Sequence, residues 1–531
     1  MGLGRLLDKA ITTAFPGWGL RRAAARARAE FIQQNFRNAT YSAASKNRLT
    51  NAWTSTTVGP NALVDDSATL NARARMTYRD DWAAKSLADG YRRHVVGIGI
   101  TPRSAARDPQ TGKEDDRFRT FNRRIDRLYD YWARRPRLCD VERTKCKAEM
   151  DGLVVQELAI VGEAFGVLVT VQRANAVGLA VQMFEPEQLD WTITENRDTG
   201  NRVYGGVEID ADGAPVAYWV YSGDHPYDQY NAGSTRIDAS RVMHVFRQDR
   251  VRATHGATWM HAILEDIYQR RGYRMAEAFA KRMEACIGVQ VRYDQWYGGS
   301  GSGGNWGGAA PSGDDRTDAK GNAEIIVEPG MNPDLGHGRY LEVLNPQRPG
   351  SQYDPYMKRT ADEIAAGGGL DGAHLTRSFH EGNFSSQRQG ALEVDRQCDP
   401  IVHNLMVNLW CRPIREAFKV RAVLQGLVEA PGFFESTDLM MAYLDDDWQG
   451  PPKPWVDPKN QATATRMALE DGVTNLREVK NTVGGDWREA LDQRGDEKEY
   501  AEGRHVAPKW MKGEQAAVAV PAGGDDEDEE S

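Results

Sequence analysis

The chain has 531 residues, 40% of them hydrophobic and 27% charged, with a formal net charge of −9. It is long enough for several domains at ~100–200 residues each, but no stretch approaches the ~18 successive apolar residues that mark a membrane span. Asp525–Glu530 carry −6 of the charge, leaving a nearly balanced body, and such a run of like charges predicts a solvated, disordered tail.

Met1–Phe31 mixes Arg with Ala and lacks the apolar centre and cleavage pattern of a signal peptide, which predicts a cytoplasmic protein. Cys139, Cys146, Cys286, Cys398 and Cys411 are widely spaced without a C-x-x-C pair. That argues against a disulfide framework or a zinc finger and predicts buried thiols. Leu20–Asn38 reads as a basic helix able to touch DNA or a partner, or as a solvated arm. Tyr41–Ser67 reads as a loop long enough to wrap a neighbouring subunit.

Asn71–Ile100 predicts a helix with Met76, Trp82, Leu87, Tyr91 and Val95 on its apolar side. Its exit, Val-Gly-Ile-Gly, lacks the third glycine of a dinucleotide fingerprint. Phe118–Ala133 and Cys146–Val161 predict two further amphipathic helices, the second leading into a strand at Phe165–Val171. From Val181 to Val245 the period changes to two, with turns at Asp212-Gly213 and Ser222-Gly223. Thr258–Gln290 then predicts one long helix, which Gly272 interrupts without ending.

Gly299, Gly301 and Gly304 have G-x-G-x-x-G spacing, but glycine is everywhere in that loop and no helix opens from it. Strands are predicted at Ala323–Glu328 and Tyr340–Leu344, and a helix at Tyr353–Ala366. Leu370–Glu381, LDGAHLTRSFHE, is a polar loop flanked by Gly367, Gly368, Gly369 and Gly382. The longest helical signal follows at Asn383–Val420. Its stripe is Ala391, Val394, Cys398, Val402, Leu405 and Leu409, its N-cap is offered by Asn383, Ser385 or Ser386, and Pro400 predicts a kink. Pro451–Lys459 marks a boundary, and Gln461–Gly503 predicts a small helical module.

Catalytic motifs are missing: no P-loop, H-E-x-x-H, G-x-S-x-G or EF-hand pattern occurs. The ten histidines form no sequence cluster, and His255 and His261 lack ligand spacing, which predicts packing or capping roles. Asp80-Asp81 and Asp445-Asp446-Asp447 read as solvated carboxylates. No metal, cofactor or enzymatic role is expected.

Several short matches occur in a specific order. They are R-A-R-M and V-V-G-I-G-I within Arg73–Ile100, G-E-A-F-G (Gly162–Gly166), F-E-P-E-Q-L (Phe184–Leu189) and G-G-V-E-I-D-A-D-G-A-P-V-A-Y-W-V (Gly205–Val220). V-M-H-V-F (Val242–Phe246), N-F-S-S-Q-R (Asn383–Arg388), W-V-D-P (Trp455–Pro458) and E-D-G-V-T-N-L-R-E-V (Glu470–Val479) follow. In this order the chain resembles the lambda-type phage portal proteins. It departs where R-A-T-H-G-A stands in place of the family's Gln and Arg-Gly pair, and where Asp80-Asp81 replace paired Asn.

The resemblance implies an α+β portal fold with a β-rich wing, a long helical stem, a small α/β clip and a helical crown. It divides the chain into an arm (1–70), wing (71–257), first stem helix (258–290), clip (291–352), second stem helix (353–366) and tunnel loop (367–382). The spine helix and wing return (383–455), crown (456–510) and acidic tail (511–531) complete it. It further implies a dodecameric ring at one capsid vertex, residing in the virion after assembly in the host cytoplasm. Double-stranded DNA would occupy the channel, and the partners would be the terminase large subunit, a head-tail adaptor, and major capsid and scaffold proteins. His374, Arg377, Ser378 and His380 would face the DNA. The alternatives are another phage structural or adaptor protein and a DNA-processing enzyme, and the enzyme would need a P-loop or metal-carboxylate cluster.

Overall fold

The computed structural model describes residues 58–172, 177–221, 233–285, 289–293, 339–343, 353–379, 382–453 and 458–504. The basic segment Leu20–Asn38, the Ser222-Gly223 turn, Cys286, the Gly299–Gly304 run, the strand at Ala323–Glu328, His380 and the acidic tail lie outside them. Contacts divide the chain into Met1–Ala62 and Leu63–Ser531, and everything below concerns the second unit. Among the described residues no helix is long and apolar enough to cross a membrane.

Helix α1, Leu63–Asp80, begins inside the stretch expected to be loop, and Asp81 then breaks the helix expected from Asn71 onward. Asp81 caps α2, Trp82–Tyr91, by accepting the Ala83 N–H at 2.8 Å, and α2 runs into a π-helical turn at Arg92–Val96. Strand β1 (Thr101–Ser104) leads to α3 (Asp116–Ala133), whose Phe118, Phe121, Ile125, Tyr129 and Trp132 are buried at helical spacing. The short α4 (Pro136–Cys139) and then α5 (Lys147–Ile160) follow. Of the cysteines expected to be buried, Cys139, Cys398 and Cys411 are; Cys146, at the start of α5, is half-exposed.

Strands β2 (Glu163–Thr170), β3 (Leu179–Phe184), β4 (Arg202–Tyr204), β5 (Val207–Ile209), β6 (Pro215–Tyr221), β7 (Ser234–Asp238) and β8 (Val242–Phe246) form two antiparallel sheets. Their orders are β3-β2-β8 and β4-β5-β6-β7. Gly205 and Gly206 join β4 to β5 with φ of 52° and 84°, as a two-residue hairpin requires. Phe165 of β2 reaches into a second apolar cluster with Leu189, Val207, Tyr218 and Val220, which ties the two sheets together.

The long helix expected at Thr258–Gln290 is shorter: α6 spans Leu264–Ala285, and Val289–Tyr293 is strand β9 instead. Strand β9 pairs antiparallel with β10, Arg339–Val343. Helix α7, Tyr353–Gly367, returns antiparallel to α6, with Tyr273 against Tyr353 and Tyr356 (ring centroids 5.8 and 4.8 Å) and Gly367 beside Ile263. A short helix α8, Gly372–Thr376, precedes the spine.

The spine keeps its expected cap, with Asn383 accepting the Ser386 N–H at 2.8 Å, but its stripe holds only as far as Val402. Helix α9 (Phe384–Pro400) becomes a π-helix over Ile401–Cys411 and then α10, Arg412–Leu424. A wider turn rotates the face, because bonds now close five residues apart. Leu409 is consequently exposed and Leu405 half-buried, while Met406, Val407, Trp410 and Cys411 fill the core. Proline interrupts the usual bond ladder, and the chain continues from it as the π-helix. Helix α11 (Thr437–Leu444) and strand β11 (Asp446–Gln449) follow, and β11 pairs antiparallel with β1. Helices α12 (Pro458–Glu470), α13 (Leu476–Val483) and α14 (Trp487–Gly503) form the C-terminal module.

The motif Gly162–Gly166 lies where three segments cross. A Cβ on Gly162 (φ 92°) would collide with the backbone of Ala257, and one on Gly166 with the Trp410 ring. Trp410 in turn donates its Nε1–H to Asp151 at 2.7 Å, and Asp151 is paired with Lys147. Of the acids expected to be solvated, Asp80 and Asp445 are exposed, but Asp81 and the Asp446 side chain are buried. Asp81 pairs with Arg270 at 3.0 Å, and Asp446 pairs with Arg415 at 3.3 Å and Lys419 at 2.9 Å. Gly166→Ala should lower unfolding stability by about 1–3 kcal/mol, the usual cost of overpacking, and Gly162→Ala by more, because positive φ adds strain. Urea unfolding of the two variants against the parent measures both.

Candidate functional site

The loop after α7 is built in two halves. Its first half is pinned. Leu370 and Leu375 are buried, Tyr91 donates its hydroxyl to the Gly368 carbonyl at 2.8 Å, and Ser86 donates to that of Leu375 at 2.6 Å. Gly90 leaves the space that Leu370 fills on α2, and Gly369 adopts φ 76° beside Tyr91 and Gln397. Asp371 caps α8 by accepting the Ala373 N–H at 3.1 Å. Six residues after that cap, Arg377 ends the helix in the left-handed conformation, φ 56°, where a non-glycine residue is uncommon.

The second half is open. Arg377 is exposed, Ser378 is half-buried with its N–H on the Ala373 carbonyl at 3.2 Å, and Phe379 is 45% exposed. Gln387 of α9 donates to the carbonyls of Phe379 and Gly382 and so holds the far end.

The four residues singled out from the sequence are therefore not equivalent. His374 is mostly buried at 14% side-chain exposure, its ring edge-on to His94 (5.6 Å) and Phe379 (5.4 Å), and its Nδ1 lies 3.4 Å from Asp371. Arg377 and Ser378 lie near the surface, and His380 is outside the described residues. The expectation that histidines do not cluster fails here, because His94 and His374 meet across 280 positions of sequence. Ser86, Tyr91, His94 and Gln397 also belong to this site, and no local pattern marks them. Burial pushes the His94 pKa down, the positive charges of His374, Arg93 and Lys453 push the same way, and Asp395 opposes them.

A family profile described as "Phage portal protein, lambda family" matches residues 46–401, about two thirds of the chain. This chain belongs to the lambda family of phage portal proteins. A probable portal protein of Halomonas phage phiHAP-1 is 26% identical over 467 residues, covering 86% of this portal chain and 85% of its own. Among solved structures, the chain is similar to one in the neck of an empty GTA particle, with TM-score 0.40 and 12% identity over 79% of this chain and 93% of the other. It is also similar to an HK97-family phage portal protein from Corynebacterium diphtheriae, with TM-score 0.30 and 11% identity over 77% and 99% of the two chains.

The depressed His94 pKa fixes a sign for this portal chain. Folding favours the neutral ring, so that contribution is complete above the free-imidazole value of 6.5 and is lost as pH falls through the lower folded pKa. Amide exchange of residues 368–379, corrected for intrinsic rates, should therefore accelerate below pH 6.5 and become insensitive in His94→Gln.

Proposed function

We propose that this portal chain assembles into a closed dodecameric ring at one capsid vertex, through which double-stranded DNA enters during packaging and leaves during ejection. The observation that supports this best is the uncovered face of α6. Tyr268 (67% exposed), Met275 (62%) and Phe279 (65%) recur seven and four residues apart, and among the described residues nothing lies within 4 Å of a Cβ built on Gly272 between them. A long helix that leaves one apolar stripe open needs a partner surface. In a ring of identical subunits that surface is a different face of the next copy, so the contact is heterologous and closes by rotation.

In this reading 71–257 is the wing, 258–290 and 353–366 are the stem, and 291–352 is the clip on which the terminase large subunit and a head-tail adaptor dock. The wing meets capsid and scaffold proteins, 383–455 is the spine and wing return, and 456–510 is the crown. The loop 367–382 faces the channel. His374, Arg377, Ser378 and His380 are its DNA-facing set, with His374 reaching DNA only when it leaves His94. Cationic phosphate contacts supply most non-specific DNA affinity. A loop with one Arg and two acids touches DNA without gripping it, as a conduit must.

Mass photometry of the purified chain should show closed rings of about a dozen 59.2 kDa subunits, and a persistent monomer refutes the proposal. Tyr268→Glu with Phe279→Glu should shift the population toward monomer while leaving the circular dichroism unchanged. Deleting His374–Phe379 should impair packaging or ejection in rings that still assemble; undiminished DNA transit removes the loop assignment.

A further inference from the structure

Beyond the channel, the structure contains a buried cluster that packing alone does not explain. Glu163 of β2, His244 of β8 and His255, in the segment entering α6, place ligating atoms within 4.8 Å of one another. His255 Nδ1 lies 2.9 Å from Glu163 Oε2, and its Nε2 lies 2.9 Å from the Tyr204 carbonyl at the end of β4. His244 Nε2 lies 3.1 Å from the same carboxylate, and its Nδ1 lies 3.4 Å from the Tyr218 hydroxyl. Both imidazoles are almost wholly buried.

These distances dictate where the protons sit. Both nitrogens of His255 face oxygen atoms that only accept, a carbonyl and a carboxylate. A neutral imidazole carries one N–H, so it would leave one buried acceptor opposed by a lone pair, which is unfavourable. The imidazolium satisfies both. His244 needs only one N–H, toward Glu163, because the Tyr218 hydroxyl can donate to its other nitrogen. The Gly256 N–H also points at Glu163 from 3.4 Å, and among these side chains no buried polar atom lacks a partner. Aromatic rings close the remaining space: Trp191 lies 5.1 Å from His255, and Phe165 and Phe246 stack on His244 at 4.2 and 4.4 Å.

We propose that His255 is held as an imidazolium against the Glu163 carboxylate, forming a proton-dependent clamp that fastens both sheets to the segment entering α6. The clamp joins four places in the chain: β2, β8, the β4 end and the approach to α6. It sits where Gly162 and Gly256 pass backbone against backbone, so releasing it frees the base of the α6–α7 hairpin from the sheets. This inference rests on the fold and holds whether or not the chain forms a ring.

Linkage gives the direction. Burial lowers the His255 pKa, but attraction and hydrogen bonding to Glu163 and the bond to Tyr204 outweigh it, and the net shift is upward from 6.5. Burial likewise opposes the Glu163 charge, yet the two imidazoles bring its pKa down to about 2. The clamp is therefore fully present below the free-imidazole value and is lost as pH rises through the higher folded pKa of His255. Other groups facing the pair do not mimic this behaviour. His244 is shifted downward and weakens the structure on the acid side, and Tyr218 is shifted upward and stays neutral. Lys419, pushed down to about 8, lies elsewhere and titrates with the opposite sign.

Hydrogen-deuterium exchange of the full chain from pH 6 to 9, corrected for intrinsic rates, tests the clamp in peptides covering 203–207, 242–246 and 253–263. Opening should increase by up to tenfold per pH unit above about 6.5 and level off once His255 has lost its proton. His255→Gln should already be open at pH 6 and lose the dependence, His255→Arg should stay closed throughout, and His244→Gln should keep the alkaline limb. Wild-type exchange that is flat across this range overturns the proposal, and that measurement needs no variant to fold. A stoichiometric divalent cation in the purified protein, whose removal by EDTA opens the same peptides, overturns it as well, because His255 Nδ1 would then be bound to metal and carry no proton.

Discussion

The structure depends on how closely other segments approach strand β2 at Gly162–Gly166. On one side the chain entering α6 passes Gly162 with no room for a side chain, and on the other the indole of Trp410 lies against Gly166. Interiors packed at crystal-like density do not absorb an extra methyl group at such a crossing. Between the glycines, Glu163 turns to His244 and His255 while Phe165 fills the second apolar cluster. One five-residue stretch therefore fixes the spine, the approach to the stem and the packing of sheet on sheet.

Buried charge does much of the remaining joining. Arg270–Asp81 fastens α6 to the start of α2, Lys147–Asp151 with Trp410 fastens α5 to the spine, and Arg415 and Lys419 with Asp126 and Asp446 fasten α10 to α3 and β11. Desolvation offsets most of the attraction in such pairs, so their net stabilisation is small, while removing one partner costs about 3–5 kcal/mol. Their effect is on uniqueness. Each cation accepts one placement of its helix, which holds α2, α3, α5 and α10 in register beside an α6 whose outer face is open.

That contrast fits a part of an assembly. The packed elements around β2 bury ion pairs such as Arg270–Asp81 and Lys147–Asp151, whereas α6 leaves Tyr268, Met275 and Phe279 in solvent, and the loop after α7 is fixed at Leu370 and Leu375 but open at Arg377. A firmly seated base with an open tip lets a loop move without the elements beneath it moving too.

Local signals were legible in the sequence wherever the cause is local. The Asn383 cap, the Phe118–Trp132 stripe and the alternation of β8 arise from backbone geometry within a few residues, and the ordered short motifs were enough to point to the portal family. Tertiary structure alone decided the rest. The π-helical turn after Pro400 rotated Trp410 inward and Leu409 outward, because the fit of an indole against Gly166 outweighs the 3.6-residue period. Asp81 and Asp446 looked like solvated acids because their cations lie far away in sequence, and His94 and His255 looked isolated for the same reason. Periodicity reports which face of an element is apolar. Which distant charge or ring completes a buried group depends on how the elements cross, and only folding brings those groups within hydrogen-bonding distance.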